Sequence, residues 1–563
     1  MRSASLLGTS CVASGVLLGA LAQPPEASAA VERLTTIEVG SAGDQLGVDA
    51  TPNTECRGPE AITFISASEY AILDTLNARI ARGRVGQGVS ATSSFTGVGY
   101  ARDFLLSRGG PVVFDSMSRS VVLLGQSGAV EARLPVPPDV PLGGAARLAF
   151  SGNRELLLST PGQQPVELGA PVGAPSIERL SGTAAMPDMT YEFRKTAENR
   201  AVLRLSGSPM PDLPTELRVE SSLTIANAQV VSRDQEGRTY VLLEELSGGM
   251  GFEGPTRLLR YGRDGVLTGT VEVPVADYDC TPNRPIAVAP DGRVLFLGIR
   301  ISQPVEILEL RFEAPGTAPT APGRQGARSG NVELLTADER MMRFLEEMNG
   351  GNGVEPLSAR TKPITRARVL ERAREARDLR WTVSAANYAR PGLPSSCRPA
   401  IGEHWKRSPV LEGRIGQEVT AGPYRWGGFH PEVAHFRQRQ KEGALASDVC
   451  TCRNEEYGYC VIDDAIGFDC SGFVSYSWGS SYHTTSGLSR ISDEIGLADL
   501  RPGDAVNRAG RHVRLVTEVQ RGERGIVIRV IESAVSCGRI CDAEYTPGDL
   551  RHYRPIRFRG VQN

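Results

Sequence analysis

Short apolar runs recur between residues 50 and 313, and turn residues separate them. The runs can be centred on six positions, spaced 41, 44, 45, 40 and 54 residues apart: Leu73, Phe114, Leu158, Leu203, Leu243 and Leu297. Each interval has room for several short strands. A period of this length, with several strands in each unit, is typical of propeller blades. The pattern therefore predicts an all-β propeller of about six blades over residues 30–313.

Two of the runs carry more specific features. One covers residues 70–80 around Leu73, and the other covers residues 289–297 and begins Ala289-Pro290-Asp291-Gly292. Both resemble NHL and related propeller repeats, which implies the same blade architecture. The last interval is the longest, and the glycine-rich residues 247–254 explain it as an insertion between two strands.

Two cysteines have the same offset in the first and last units. Cys56 and Cys280 each precede the central leucine of their unit by 17 residues. Because the first and last blades are neighbours in a closed ring, we hypothesise a Cys56–Cys280 disulfide that locks the closure. The alternative is that two unrelated cysteines share an offset by chance.

A change of composition marks the end of this region. Residues 314–335 are rich in Ala, Pro, Gly and Thr, which predicts a solvated linker. Residues 336–362 have apolar positions at helical spacing before a glycine-rich break, and we expect a helical connector there. A stronger helix is predicted from its cap Thr365 through Arg377, at the start of a unit covering residues 363–563.

Residues 1–29 have the features of a secretory signal peptide. Arg2 precedes an apolar stretch from Val12 to Ala22, and Ala27-Ser28-Ala29 fits the small-x-small rule of signal peptidase. A membrane anchor is the alternative, but this stretch is shorter than the roughly 20 residues that a spanning helix needs. We therefore expect an exported protein, periplasmic or extracellular, with no membrane span.

The cysteine count agrees with an oxidising compartment. Of the 10 cysteines, Cys11 lies in the signal segment, and Cys470 is the candidate free thiol described below. The other eight can pair completely, although their connectivity is open apart from the first two: Cys56, Cys280, Cys397, Cys450, Cys452, Cys460, Cys537 and Cys541. A zinc site on Cys450 and Cys452 is the rival hypothesis, but thiolate zinc sites favour two to four intervening residues. We expect neither a metal nor a cofactor.

Charge and histidine positions narrow the class of function. Proteins that bind nucleic acids usually carry an excess of positive charge. The formal net charge of this chain is −3, so we expect no nucleic-acid partner. All six histidines follow the linker, which concentrates acid-base chemistry at neutral pH in the C-terminal unit: His404, His430, His435, His483, His512 and His552.

One cysteine stands where a helix is predicted to begin. Asp469-Cys470-Ser471-Gly472 precedes the apolar Phe473-Val474, so the Cys470 thiol would lie at the positive end of the helix. A helix N-terminus and a nearby imidazole both favour the thiolate. We therefore expect the pKa of Cys470 to lie below its reference of about 8.5.

Two predicted strands downstream supply a base and an acid. Residues 511–516 alternate so that His512 and Arg514 face one side, and residues 526–534 form the next strand. His512 is the expected base, and Glu532 is the carboxylate expected to orient it. Glu518 competes for that role but lies on the strand of His512 itself, six residues away. A helix-borne thiol with a strand-borne imidazole is the papain-like α+β arrangement.

Ordered motifs run through residues 423–534. They are Pro423-Tyr424-Arg425-Trp426-Gly427-Gly428, Asp469-Cys470-Ser471-Gly472-Phe473-Val474, Leu500-x-Pro502-Gly503-Asp504, His512-Val513 and Ile531-Glu532-Ser533-Ala534. They resemble an NlpC/P60 domain, a family of cysteine peptidases and amidases of bacterial cell walls, over roughly residues 363–558. The resemblance implies Cys470 as nucleophile, His512 as base, Glu532 at the third polar position and Tyr424 as an oxyanion donor.

The chain is thus expected to be multidomain, an all-β propeller followed by an α+β papain-like unit. The resemblance implies hydrolysis of a peptide or sugar-peptide amide in peptidoglycan, through a thioester acyl-enzyme, with a muropeptide as substrate. In the alternative hypothesis the propeller makes this a recognition protein that docks a protein or glycan, while the cysteine unit is degenerate or acts on another amide. We expect Trp426 in the core, and no catalytic role for His430, His435 or His483.

Overall fold

The computed structural model describes residues 30–49, 51–138, 140–141, 146–150, 156–160, 165–169, 190–206, 214–315, 345, 363–397, 405–450, 462 and 464–562. The predicted signal segment, most of the predicted linker and nearly all of the predicted helical connector lie outside these residues. So do Cys11, Cys452, Cys460 and His404.

The described strands between residues 31 and 310 form six antiparallel sheets, four of them four-stranded and two three-stranded. The first three sheets in chain order comprise Ala61–Phe64, Glu69–Asp74, Arg79–Arg84 and Val89–Ser94 (β2–β5); Ala101–Leu106, Pro111–Asp115, Ser120–Leu124 and Val130–Pro135 (β6–β9); and Arg147–Phe150, Leu156–Ser159 and Val166–Glu167 (β10–β12). The next two comprise Thr190–Ala197, Arg200–Ser206 and Glu216–Glu220 (β13–β15); and Thr224–Arg233, Thr239–Leu246, Thr256–Tyr261 and Leu267–Glu272 (β16–β19). The last sheet comprises Ile286–Val288, Val294–Gly298 and Val305–Leu310 (β20–β22) together with the first strand of the chain, Val31–Ile37 (β1). The region is propeller-like and all-β.

The six apolar centres of the sequence pattern lie in six different sheets. Each of them falls in an inner strand, namely β3, β7, β11, β14, β17 or β21. Strand β21 is buried along its whole length. Such strands read as continuous apolar runs because neighbouring layers cover both of their faces.

The first and last sheets lie side by side. Strand β1 pairs with β22 as the outermost strand of the last sheet. Ala61 at the start of β2 forms an isolated bridge with Arg284, just before β20. The hypothesised Cys56–Cys280 disulfide is confirmed and spans the same junction, with 5.3 Å between the Cα atoms.

The C-terminal region is built around a six-stranded sheet in the order β28-β33-β29-β30-β31-β32. These strands are Ser492–Glu494 (β28), Ala505–Arg508 (β29), His512–Gly522 (β30), Gly525–Ala534 (β31), Arg539–Tyr545 (β32) and Arg554–Phe558 (β33). Three short pairs complete the strands: Ile364–Thr365 (β23) with Val561–Gln562 (β34), Arg380–Thr382 (β24) with Glu418–Thr420 (β25), and Leu445–Ala446 (β26) with Ala465–Ile466 (β27).

Five described helices belong to this region: Arg366–Arg377 (α1), Ala385–Tyr388 (α2), Val433–Lys441 (α3), Cys470–Trp478 (α4) and Thr485–Arg490 (α5). Helix α1 has the predicted bounds, and the Thr365 hydroxyl caps it by accepting from the N–H of Arg368. Every residue of α4 is buried, and the helix shares one apolar cluster with strands β30 and β31. None of the described helices is long and apolar enough to cross a membrane.

A buried ion pair ties three of the N-terminal sheets together. Nη2 of Arg284 lies 2.9 Å from Oδ1 of Asp103, and both side chains are almost fully buried. Asp103 also accepts from the N–H of Leu148 at 2.8 Å, and Arg284 donates to the carbonyl of Phe104. The pair therefore joins β6, β10 and the segment before β20.

Removal of this arginine should destabilise the N-terminal sheets. Arg284→Ala leaves a buried, unpaired carboxylate at Asp103, so we expect a loss of about 3–5 kcal/mol in the free energy of unfolding. Arg293→Ala, in the turn between β20 and β21, breaks the partly exposed pair with Glu309 and should cost less than about 1 kcal/mol. Urea unfolding followed by far-ultraviolet circular dichroism measures both, and equal losses would contradict this role of Arg284.

Candidate active site

Helix α4 begins at Cys470, as the sequence predicts, because Asp469 caps it. The Asp469 carboxylate accepts from the N–H of Gly472 at 2.5 Å. A Cβ at Gly472 would lie only 2.0 Å from the carbonyl oxygen of Gly428. The glycine therefore lets the first turn of the helix pack directly on the turn at residues 426–428.

Strands β30 and β31 bring His512 and Glu532 together. Nε2 of His512 lies 2.7 Å from Oε2 of Glu532, and both side chains are buried. Since a carboxylate only accepts, Nε2 is the ring nitrogen that donates a hydrogen to Glu532. Nδ1 is buried and has no hydrogen-bond partner among the described residues.

Glu532 is held in its charged form. Full burial raises the pKa of Glu532, but Arg514, His512 and Tyr545 outweigh burial and lower the pKa to about 2. Nε of Arg514 donates to the Glu532 carboxylate at 2.9 Å, and the Tyr545 hydroxyl donates to it at 2.5 Å. The competing acid Glu518 instead bonds Arg529, at 2.8 Å. Of the two carboxylates, Glu532 is the one that contacts the imidazole.

The Cys470 thiol lies against the first turn of α4 and the start of β30. Backbone N–H groups of Val513 and Ser471 hydrogen-bond its sulfur and lower its pKa. Full burial, with the Asp469 carboxylate second, raises the pKa of the thiol well above its usual value. The expectation of a lowered pKa is therefore wrong for this closed arrangement. The helix N-terminus is present, but the loss of solvent around the sulfur outweighs it.

Tyr424 is brought next to the thiol. It forms an isolated bridge with Phe468, two residues before Cys470, and its N–H donates to the carbonyl of Gly538 at 3.0 Å. Burial raises the pKa of the Tyr424 phenol well above its usual value, and electrostatic interaction with Cys470 and Asp469 raises it further. The phenol thus stays protonated and can donate a hydrogen bond.

A loop from the N-terminal region also reaches this site, which the sequence pattern does not predict. We call residues 49 and 51–57, between β1 and β2, the tip loop. The Asn53 amide donates from Nδ2 to Oδ2 of Asp469 at 2.8 Å and to the Ser471 hydroxyl at 2.9 Å. The Cys470 thiol donates to the carbonyl oxygen of Asn53, with 3.6 Å between sulfur and oxygen. The only sequence signal is a polar, turn-forming stretch before Cys56.

The histidines without an expected catalytic role have other partners. Nδ1 of His430 lies 3.1 Å from Nδ1 of His435, and Nε2 of His430 accepts from the N–H of Gly467. His483 contacts the carbonyl of Ser481. Trp426 is fully buried, as expected, and its indole N–H donates to the carbonyl of Pro52 in the tip loop.

Described cysteines other than Cys470 form disulfides. Cys397 pairs with Cys450, and Cys537 pairs with Cys541. The first pairing removes Cys450 from the rival zinc site with Cys452. Cys470 is the one free thiol in the part of the chain that the structure describes.

No family model matches the chain, and no curated protein matches it. Similar solved structures include a streptogramin B lyase, at 13% identity over 46% of this chain and 65% of the lyase, with a TM-score of 0.18. Another is the peptidoglycan hydrolase RipB from Mycobacterium tuberculosis, at 17% identity over 44% of this chain and 93% of RipB, with a TM-score of 0.20. A virginiamycin B lyase from Staphylococcus aureus gives 10% identity over 50% of this chain and 88% of that chain, with a TM-score of 0.25. At TM-scores this low, the likenesses carry no conclusion about this chain.

The charge of Glu532 should make stability depend on pH. Its pKa falls from the ordinary 4.5 to about 2, so the ionised form stabilises the folded chain above about pH 4.5. This contribution is lost as the pH falls towards 2, and in full it amounts to about 3 kcal/mol. We expect the difference in unfolding free energy between wild type and Glu532→Gln to be constant from pH 7 to about pH 5 and to shrink below it.

Urea unfolding at a series of pH values from 7 to 3 measures this difference. Glu518→Gln is the matched control, because the Glu518 side chain is 47% exposed and should show no such pH dependence. A wild-type advantage over Glu532→Gln that stays constant down to pH 3 would contradict a charged, stabilising Glu532.

Proposed function

We propose that the chain is an exported cysteine hydrolase that cleaves an amide bond of peptidoglycan. The observation that carries the catalytic part is the buried His512–Glu532 pair, 2.7 Å apart, because the N–H of Val513, next to His512 on β30, hydrogen-bonds the Cys470 sulfur. In this proposal the three side chains are a nucleophile, a base and an orienting carboxylate, the constellation that activates a weak nucleophile. The choice of peptidoglycan, as a peptide or sugar-peptide amide, rests on the resemblance to NlpC/P60 motifs.

In the first half of the proposed reaction, Nδ1 of His512 takes the proton of the Cys470 thiol. The thiolate attacks the carbonyl carbon of the amide, and a carbon–sulfur bond forms. The tetrahedral intermediate collapses as the carbon–nitrogen bond breaks, and the imidazolium returns its proton to the departing amine. Glu532 stabilises the positive charge that His512 carries between these two transfers.

In the second half, water replaces the amine. Nδ1 of His512 removes a proton from the water, whose oxygen attacks the thioester carbonyl. The carbon–sulfur bond then breaks, the carboxylic acid leaves, and the proton returns to Cys470. Throughout, the Tyr424 hydroxyl and the backbone N–H of Cys470 are the proposed donors to the carbonyl oxygen as negative charge develops on it.

The proposed architecture places this chemistry in a two-part exported protein. Residues 30–313 form a six-bladed propeller, and residues 363–563 form a papain-like NlpC/P60 unit, with a linker at 314–335 and a helical connector at 336–362. Three disulfides among the described residues support an oxidising compartment, periplasmic or extracellular. The muropeptide is the proposed substrate, and the propeller is free to dock a protein or glycan partner.

A recognition function is the second candidate, and one observation favours it. The Cys470 thiol is fully buried and the surrounding residues keep it protonated, as in a cysteine that is not a nucleophile. In that case the propeller carries the function and the cysteine unit is degenerate or acts on another amide. Turnover that depends on Cys470 separates the two candidates.

Cys470→Ala should lower amide hydrolysis of purified muropeptides by at least about 10³-fold, because the substitution removes the thiol that forms the proposed thioester. Mass spectrometry of the released fragments measures the rate and also identifies the bond that is cut. The thermal unfolding midpoint should stay nearly unchanged, since the substitution removes a single buried sulfur atom.

Ser477→Ala is the matched control, because it removes one buried heteroatom from the same helix, where the hydroxyl donates to the carbonyl of Phe473 one turn earlier. Its hydrolysis should equal that of wild type. Muropeptide cleavage that survives in Cys470→Ala would refute the mechanism, and specific ligand binding without cleavage, even when the Cys470 thiol is made accessible, would favour recognition.

A further inference from the structure

All the groups of the proposed reaction are closed off from solvent. Cys470 is 0% exposed, and His512, Glu532 and Tyr424 are each 1% exposed. The tip loop contacts the thiol through the carbonyl of Asn53, and within this loop Asn53 is 0% and Thr54 is 1% exposed. A substrate amide therefore has no path to the sulfur while the tip loop stays where it is.

The side chain of Asn53 fits this position closely. Its amide nitrogen donates to Asp469, Ser471 and the hydroxyl of Tyr482, at 2.8, 2.9 and 3.3 Å. Its amide oxygen accepts from the N–H of Thr485, at 3.0 Å. Both ends of the carboxamide are thus satisfied by residues on and beside helix α4. Four hydrogen bonds from this one buried side chain therefore connect the tip loop to the C-terminal region.

The backbone of the tip loop is held as well. The N–H of Asn53 donates to the carbonyl of Gly510, in the turn that leads into His512, at 3.0 Å. The carbonyl of Pro52 accepts from the indole of Trp426 at 3.1 Å. Asn53 has a φ of +56°, a left-handed conformation that asparagine tolerates better than most residues.

The base of the tip loop is anchored on the N-terminal sheets. Asp49 and Arg57 exchange two backbone hydrogen bonds, at 2.7 and 2.8 Å, and their side chains form an ion pair. The Cys56–Cys280 disulfide then ties the loop to the segment before β20. The tip loop is therefore anchored at its base on the propeller-like region, and its tip contacts the Cys470 sulfur.

We propose that the tip loop, residues 49 and 51–57, is an autoinhibitory plug, and that substrate reaches Cys470 only after Asn53 withdraws from helix α4. The inference rests on the proposed hydrolase function, because a plug matters only over a working nucleophile. The chain is then latent as folded, and the same region that would recognise a partner also holds the site shut. Withdrawal exposes the sulfur to water, which removes the burial that keeps it protonated.

The reactivity of Cys470 towards iodoacetamide tests the plug on the native, full-length chain. Cleavage before Asp469 and before Asp493 releases a peptide in which Cys470 is the single cysteine, so mass spectrometry gives its alkylation rate directly. We expect slow alkylation in wild type. Asn53→Gly keeps a residue suited to the left-handed backbone but deletes the carboxamide, and it should raise the rate by at least about tenfold.

Ser302→Gly is the matched control, since Ser302 is an exposed residue of the same region with a φ of +60°. Its alkylation rate should equal that of wild type. The paired variant Cys56→Ser with Cys280→Ser loosens the base of the loop instead of its tip, and should also speed alkylation. Circular-dichroism melting shows that each variant is folded.

Rapid alkylation of Cys470 in wild type, or no acceleration in either of the two release variants, would overturn the plug. Hydrolysis measured on the same samples keeps the two hypotheses apart. Faster alkylation without muropeptide cleavage would support the plug and contradict the hydrolase function. Full cleavage by wild type, with no increase in cleavage or alkylation in the release variants, would support the hydrolase function and contradict the plug.

Discussion

The buried carboxylate of Asp469 is the interaction on which the rest of the site depends. Its two oxygens accept hydrogen bonds from the backbone N–H groups of Gly472 and Gly427, from the hydroxyls of Ser471 and Tyr482, and from the amide of Asn53. One side chain thus begins the helix that carries Cys470, fixes the glycine turn beside it and receives the tip loop. Burial raises its pKa to about 6, so these donors do not fully offset the cost of removing a carboxylate from water.

A second buried carboxylate organises the other half of the site. Glu532 is charged, and the guanidinium of Arg514 and the hydroxyl of Tyr545 hold it in place while it orients His512. The pKa of Glu532 is lowered and the pKa of Asp469 is raised, because Glu532 has a neighbouring cation and Asp469 is surrounded mainly by neutral donors. The imidazole of His512 is therefore held in one orientation, while burial and the Asp469 carboxylate keep the pKa of the Cys470 thiol high.

Much of the local structure follows from the sequence. Thr365 and Asp469 cap helices where their side chains can accept from a backbone N–H in the first turn, and this depends only on neighbouring residues. The alternation around His512 puts it on the same face as Arg514, and both contact Glu532 on the next strand. The Cys56–Cys280 pair was predictable because a repeated unit gives its cysteines equivalent positions, and the ends of a ring are adjacent.

The sequence by itself determined the strand repeat, the helix that starts at Cys470 and the adjacent strands of His512 and Glu532, because these depend on the order and period of nearby residues. Only the tertiary structure decided whether the thiol is open or covered. Asn53 and Asp469 are separated by 416 positions, and no local pattern records that their side chains meet. The same holds for the pKa of Cys470, since burial by a distant loop outweighs the helix terminus that the sequence reveals.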